Sequence, residues 1–541
     1  MKMKYRTFRL IDVPLLSVCA LLIICCQDDN IFIREAPSIL PRAVPETFIQ
    51  EQNLEVTFNL ELRAISGLSD LVVKKDGEVY DTRTFNDDLL FIYSFSYVVE
   101  GDLVDGTILR FTFELTDKAG KEAVPFSVNV KVGPPFEITD DIVFDTPVKR
   151  VKGRINRDVT FTADNIYWLD SIVSVEGNRT LTIEAGSTVL MRTFSNTIDS
   201  RLAITQGSKI IANGTKDLPI VFTSDRILNG TANTADWGGI YLYGRAPTNQ
   251  ASTVFEDGFR YGGSQLNDNS GSLQFVRIEY GGKNGVDGIT ILGVGDATIL
   301  DYIQIYRCFD QAFRLKGGRV NVKHIVCTGH AGYGLWAEHG WIGKGQFLIF
   351  ETDVPATIFP VNFQNQARSL ELRNDASNFN LQPATYVRLA NITMIGNGNA
   401  IENGTRRGLR VRRGAMGLIH NVICTNFPDD GVRVEDVTLA NLTNGTMVLG
   451  NTRSFFNRED YDEQAEDFFL VRPEFNVTID PVPGITLGNF VGSVPTSFDP
   501  RFATGFDSWF ESAPFIGAVR DAANDWTADG VWCKNLDGTI R

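Results

Sequence analysis

Histidine, methionine, cysteine and long apolar stretches are all scarce in this chain of 541 residues. There are four histidines, six methionines and seven cysteines. No two cysteines form a CxxC pair, and no Cys/His cluster has the spacing of a tetrahedral site, so a structural zinc is not expected. No apolar run reaches the ~20 residues that a membrane-spanning helix requires. Positive charge is also short: 51 Lys and Arg stand against 66 Asp and Glu, a net charge of −15. A field of that sign repels nucleic-acid phosphates and acidic membrane surfaces, so nucleic acid is excluded as a partner class. With 43% hydrophobic and 22% charged residues, the composition is neither that of a disordered chain nor that of a charged helical one. What is abundant is glycine (49) and phenylalanine (37), which points to an all-β chain large enough for a long core.

The N-terminus has the order of an export signal. Lys2, Lys4, Arg6 and Arg9 precede an apolar stretch from Val13 to Ile24, too short to span a bilayer in the mature protein. Its ending, Leu22-Ile-Ile-Cys-Cys-Gln-Asp-Asp29, resembles a bacterial lipobox. Cys26 is the better acyl acceptor, because Cys25 then supplies the small preceding residue, whereas acylating Cys25 would put bulky Ile24 there. Gln27-Asp28-Asp29 resembles the acidic tag that routes Bacteroidota lipoproteins to the outer face of the outer membrane. Cleavage before Cys26 would remove four cations and Asp12 and leave a net charge of −18. Beyond Cys26, the mature chain holds Cys308, Cys327, Cys424 and Cys533, for which export permits disulfides without requiring them. A stacked ladder of thiols at Cys308, Cys327 and Cys424 is the preferred reading.

Four domains are expected: a signal over 1–25, a tether over 26–50, an immunoglobulin-like sandwich over 51–135, and a solenoid with a C-terminal cap region over 136–541. Proline at positions 37, 41 and 45 suggests the tether. The period-two runs at 54–60, 90–98, 109–115 and 126–132, separated by turn residues, suggest the sandwich. From about residue 150, short β-branched strands recur with a glycine at a constant place. Gly293, Gly317 and Gly340 are spaced by 24 and 23 residues, and Gly408 and Gly431 by 23. A period in the twenties built from short strands and sharp turns marks a parallel β-helix, the fold class expected here. The register through 352–405 and 452–541 stays unread at this level.

Leu181-Thr-Ile-Glu-Ala-Gly-Ser-Thr-Val189, the stretch from Ala212 to Ser224, Asp236-Trp-Gly-Gly-Ile240 and Phe275-Val-Arg-Ile-Glu-Tyr-Gly-Gly282 together resemble a family of Bacteroidota surface lipoproteins with a right-handed parallel β-helix. The resemblance implies an outer-membrane lipoprotein facing the cell exterior and working beside a TonB-dependent transporter. It departs at one place: the family's acidic Asp-Asp-Gly-Phe and a later Asp-rich turn are replaced here by Phe309-Asp-Gln-Ala-Phe313 and Ala331-Gly-Tyr-Gly334. Any ligand role those acids carry in relatives is therefore in question in this chain.

Alternation within the repeated strands places Tyr241, Thr290, Arg314, Trp336, Arg410 and Arg433 along one outward face, with Tyr243, Lys316, Glu338, Arg412 and Glu435 beside them. Arg410 and Arg433 should be rung neighbours, and like charges at that distance repel unless they are solvated or bridged by an anion. Aromatic rings for stacking and arginines for carboxylate or sulfate make Tyr241, Tyr243, Arg314, Lys316, Trp336, Arg410, Arg412 and Arg433 candidate glycan-binding residues. The plainer alternative is pairing of Arg412 with Glu435 across rungs and a loop over Trp336. No catalytic or metal residue is assigned. Asp429, Asp430, Glu435 and Asp436 form the densest carboxylate group beside a repeat strand, and Asp429-Asp430, at a coil corner before Gly431, reads as a turn cap before the group reads as catalytic. The acidic run 459–467 reads first as a solvated helix or loop and second as a calcium-binding segment, the only cofactor considered. The sequons at Asn178, Asn213, Asn391 and Asn476 read as turn residues. The expected function is that of a binding or assembly module that captures glycan or another nutrient without catalysis. A polysaccharide lyase or glycoside hydrolase is the first alternative, and a structural or adhesin-like surface component the second.

Overall fold

The computed structural model describes residues 35–42, 44–86, 88–104, 106–133, 136–195, 199–250, 254–352, 368–398 and 406–541. Cys26 and the export signal lie outside them. The chain divides into two compact units, one formed by residues up to 42 with 58–95 and 110–128, the other by the rest. In the first unit, Leu68–Lys75 pairs antiparallel with Glu78–Thr84 on one side and with Ile108–Asp117 on the other. A second sheet contains Ser38–Pro41, Glu55–Arg63 and Leu90–Val98. Phenylalanines join the two sheets: Phe95 lies 4.9 Å from Phe111 and 5.3 Å from Phe113, edge to face in both cases. Part of the segment expected as a tether, 26–50, is strand. Ser38–Pro41 is a strand paired with residues 60–63, and Thr47–Gln50 is a strand paired with residues 129–132. Proline is tolerated there because Pro41 ends its strand at a sheet edge, where no donor is required.

The second unit is a parallel β-helix. One face of each coil is a short strand, and the stacked series runs Arg201–Ile204, Ile240–Tyr243, Ile289–Leu292, Phe313–Lys316, Tyr333–Glu338, Arg368–Arg373, Arg407–Arg412, Asp430–Val434. Inward positions stack as like on like: Ile240, Ile289, Phe313, Leu335, Leu370, Leu409 and Val432 form one fully buried column. Each such side chain contributes about 1.5–3 kcal/mol by leaving water, and strands buried this way need no tight sequence repeat, only an apolar residue at the inward position. The first coil is covered by the antiparallel strand Phe136–Val143, which pairs with Thr146–Ile155 and so blunts the open edge. At the other end the helix Glu463–Leu470 places Ala465 and Phe469 in the core cluster.

The two remaining faces of most coils come from a single longer strand bent at one left-handed residue. Phe275, Tyr302, His324, Phe347, Asn391, Asn421 and Asn451 all have φ between 48° and 62° and occupy the same register position, one per rung. Asparagine adopts that conformation readily, and an aromatic does so at a cost that stacking offsets. The rings of Phe275 and Tyr302 are 4.4 Å apart, Tyr302 and His324 4.1 Å, His324 and Phe347 5.0 Å, all near parallel. Of the sequons named above, Asn178 and Asn476 are left-handed turn residues as expected, whereas Asn391 is the left-handed bend inside a strand and Asn213 ends one. Residues 480–541 run along this column as a strap. Asn391 Nδ2 donates to the Phe515 carbonyl at 2.7 Å, Asn421 Nδ2 to that of Ala513 at 3.2 Å, and Gln346 and Gln304 each exchange two bonds with the strap backbone at Glu511 and Lys534.

Cys308, Cys327, Cys424 and Cys533 are free and buried. The expected thiol ladder fails at Cys308. Ile305 is the partner of Cys327 across the rung, and Cys308 lies three residues farther on, beyond its strand. Burial holds all four thiols above their ordinary pKa and so keeps them unreactive.

Candidate functional site

The outward face of the short strands carries the expected residues in the expected order. Tyr241, Thr290, Arg314 and Trp336 are successive partners across rungs, and Arg410 is the partner of Arg433. Between Trp336 and Arg410 the structure inserts a rung that the sequence pattern did not reveal, carrying Glu371 and Arg373. That rung changes the electrostatics of the face. Glu338 accepts from Arg314 at 2.7 Å and also from Arg373, and Glu371 accepts from Arg412 at 2.5 Å with Arg410 at 3.9 Å. Glu435 accepts from Arg410 at 2.7 Å and Arg433 at 2.5 Å. The anion that bridges Arg410 and Arg433 is thus a side chain of the chain itself. The face is an alternating ladder of guanidinium and carboxylate in which each buried charge has a partner.

The aromatic half of the predicted stripe is covered. The hairpin of Val254–Glu256 and Phe259–Tyr261 packs Phe259 5.3 Å from Tyr243, and Tyr241, Tyr243 and Tyr261 form one buried cluster. Glu256 from the hairpin pairs with Lys316 at 2.5 Å, and Asp257 pairs with Arg201, whose guanidinium also lies 5.3 Å above Tyr241. Trp336 is 8% exposed, its ring held between Arg314 of the preceding rung at 4.0 Å and Arg373 of the following rung at 4.1 Å. Two guanidiniums therefore lie over a ring that is already almost fully buried, and little of it is open for a sugar to stack on. The eight predicted residues are brought onto one face, but as its cross-braces. Asp429 and Asp430 pair with Arg407 at 2.6 and 2.7 Å instead of capping a turn. Asp436, for which no such role was expected, accepts from the Arg413 and Thr438 amides. The acidic run 459–467 forms the short strand Glu459–Tyr461 and the start of the terminal helix.

Two of the concavities in this unit bear on function, and neither was read from the sequence. The larger, about 1000 Å3, lies on the strapped side, between His420, Asn451, Phe475 and Asn476 of the coils and Thr496, Phe498, Asp499 and Phe502 of the strap. Its floor is the His420 ring stacked 4.0 Å from Phe498, and Phe502 stands exposed at the rim. Burial pushes His420 down to about 4, so it is neutral near pH 7 and the cleft walls carry no cation. Asp499 is committed to Ser512 Oγ at 2.5 Å and to the Arg501 and Ala513 amides. The smaller, about 280 Å3, opens beside the ladder and is lined by Phe309, Asp310, Gln311, Ala331, Gly332, Tyr333 and Trp336. It falls on the two segments where the chain departs from the resembled family. Burial first, and Asp287 second, push the Asp310 carboxyl up to about 7. Nothing in periodicity marks either place. Only the unusual Phe309–Phe313 string pointed at the smaller one.

Among the described residues no group of three or more His, Cys, Asp or Glu side chains is arranged to hold a metal ion, and no helix is long and apolar enough to cross a membrane. Among curated proteins no relative matches. Similar solved structures include the fibronectin(III)-like modules of Clostridium thermocellum CbhA, at 17% identity over 18% of this chain and 46% of that one with a TM-score of 0.15. They also include the pectate lyase Pel3 from Pectobacterium carotovorum, at 10% identity over 63% and 90% with a TM-score of 0.12. The chain thus spans less than half the length of the fibronectin-like chain. The domain model that matches is the pectate-lyase-like β-helix domain, over residues 153–477, the span in which the stacked coils lie. More than half of the chain is covered, and it belongs to the family of pectate-lyase-like β-helix domains.

Proposed function

We propose that this protein captures glycan at the cell surface without transforming it. In this reading acylated Cys26 holds it at the outer face of the outer membrane, where it hands its ligand to a TonB-dependent transporter. The anchor and the transporter rest on the lipobox and the acidic tag after it, and on the resemblance to Bacteroidota surface lipoproteins. The observation that carries the binding role is the 1000 Å3 cleft. Amides from Asn451 and Asn476, hydroxyls from Thr496 and Ser497 and rings from Phe475, Phe498 and Phe502 line one open trough. Apolar faces beside a few fixed hydrogen-bonding groups are what a sugar chain needs, with each ring stacking on an aromatic while its hydroxyls reach amides. Because the cleft offers carboxylates and no cation, neutral glycans fit better than acidic ones. The arginines expected to grip acidic sugars are already bound to Glu338, Glu371 and Glu435.

The mature protein, presented with neutral and acidic polysaccharides in the presence of calcium, is expected to bind a neutral one, and Phe502→Ala is expected to weaken that binding about tenfold. Isothermal titration reads it, and unchanged affinity in Phe502→Ala would remove the cleft from the function. A second reading, hydrolysis or β-elimination of a polysaccharide, is favoured by one feature: a carboxyl near neutrality, as at Asp310, suits general acid work. New reducing ends, or absorbance at about 235 nm from an unsaturated product, would establish it. Silence across the panel would favour a structural or adhesin-like role.

A further inference from the structure

The pocket beside the ladder has polar atoms that its own fold leaves unused. Gln311 Oε1 and Trp336 Nε1 are both buried, on residues 8% exposed, and neither has a hydrogen-bonding partner among the described residues. A buried donor and a buried acceptor left without partners are each costly, and such groups are rare unless protein, ordered water or a bound molecule completes them. Gln311 and Trp336 line the same space of about 280 Å3. That volume sits just below the usual range of about 300–1,000 Å3 for small-molecule sites, which suits one ring and not a chain of them.

We propose that this pocket binds a single neutral, hydroxyl-rich ring, of which a hexose unit is the type. A hydroxyl group both donates and accepts, so neighbouring hydroxyls on one ring can serve Gln311 Oε1 and Trp336 Nε1–H together. Trp336 takes part through its edge, because two guanidiniums already lie over its ring. Tyr333 packs edge-on 5.0 Å from Trp336 and is held there by Arg368, which donates to its hydroxyl at 2.7 Å. The charge of the pocket decides against acidic sugars. Its ionisable wall is Asp310, with Asp287 nearby, and the cations around it are committed: Arg314 is bound to Glu338 with Asp287 at 3.6 Å, and Arg368 to Tyr333 with Glu371 at 3.7 Å. A uronate carboxylate would meet acids with no free guanidinium to offset them.

The site stands apart from the 1000 Å3 cleft and does not depend on it. The test uses the mature protein with the methyl glycosides of glucose, galactose, mannose and galacturonic acid, followed by ligand-observed NMR and titration. At least one neutral glycoside is expected to bind, with Gln311→Ala and Trp336→Phe each weakening it about tenfold and Phe502→Ala leaving it unchanged. The galacturonide is expected to bind at least tenfold more weakly. Thermal melts of each variant separate lost binding from lost folding, and Gln311→Glu, nearly isosteric, repeats the test if Gln311→Ala unfolds. Absence of binding by every neutral glycoside would show that the orphan atoms hold water only, and tighter binding of the galacturonide would overturn the charge argument. Loss of cleft binding with hexoside binding intact would reject the proposed function while leaving this site standing.

Discussion

Glu338 keeps a full charge with no exposure because three cationic or cation-forming groups, Arg314, Arg373 and His339, converge on it. Burial alone would raise its pKa. The arginines, with His339, reverse that and hold it down to about 2, below the ordinary 4.5. A group depressed in the folded state stabilises the protein above its unfolded pKa and loses that contribution as the pH falls through the folded value. Stability from Glu338 is therefore complete above about pH 4.5 and fades as the pH drops towards about 2. Glu338→Gln is expected to cost about 3–5 kcal/mol at pH 7, since it strands two buried guanidiniums, and to flatten the fall of Tm between pH 5 and pH 3. Calorimetry over that range checks both. A wild-type slope in the variant would show that Glu338 is not the group lost.

The strap of residues 480–541 is the element that the repeat pattern could not announce. It has no periodicity of its own and follows the register of the coils beneath it. Trp532 is fully buried against Phe275 and Tyr302 at 6.0 and 5.7 Å, beside Trp526. Trp532→Ala is expected to cost about 3–5 kcal/mol through the cavity it leaves, measured by denaturant unfolding. A cost below about 1 kcal/mol would mean that the strap rests on the helix without supporting it. The short strands, by contrast, were legible because inward and outward residues alternate over four to six positions and glycine marks their ends. Their outward order from Tyr241 to Trp336 was correct for that reason. The rung of Glu371 and Arg373 was not, because the sequence between Gly340 and Gly408 does not keep the spacing of 23–24 residues, and with it went the sign alternation that closes the ladder. The hairpin at 254–261 was missed for a related reason: it is an insertion, paired antiparallel with itself, inside a parallel repeat.

For the molecule as a whole, the Cys26 anchor is open to a direct test. Cys26→Ser is expected to abolish incorporation of labelled fatty acid and release the protein from the membrane fraction, and retention of the label would move the acyl site to another cysteine. A chain cleaved before Cys26, as proposed, would carry a net charge of −18 and be repelled by an acidic membrane surface, so the acyl chain would carry the attachment. The chain's own pattern determined the all-β class, the solenoid and the face on which arginine, tyrosine and tryptophan gather, because alternation and period are local and survive in one dimension. Whether those residues are open or spent was decided by partners far away in sequence. Glu371 lies 41 residues from Arg412, Glu256 lies 60 from Lys316, and the strap lies more than 100 from the columns it covers at Asn391. Charge pairing and burial depend on distance in space, and only the folded coils bring those groups within hydrogen-bonding reach.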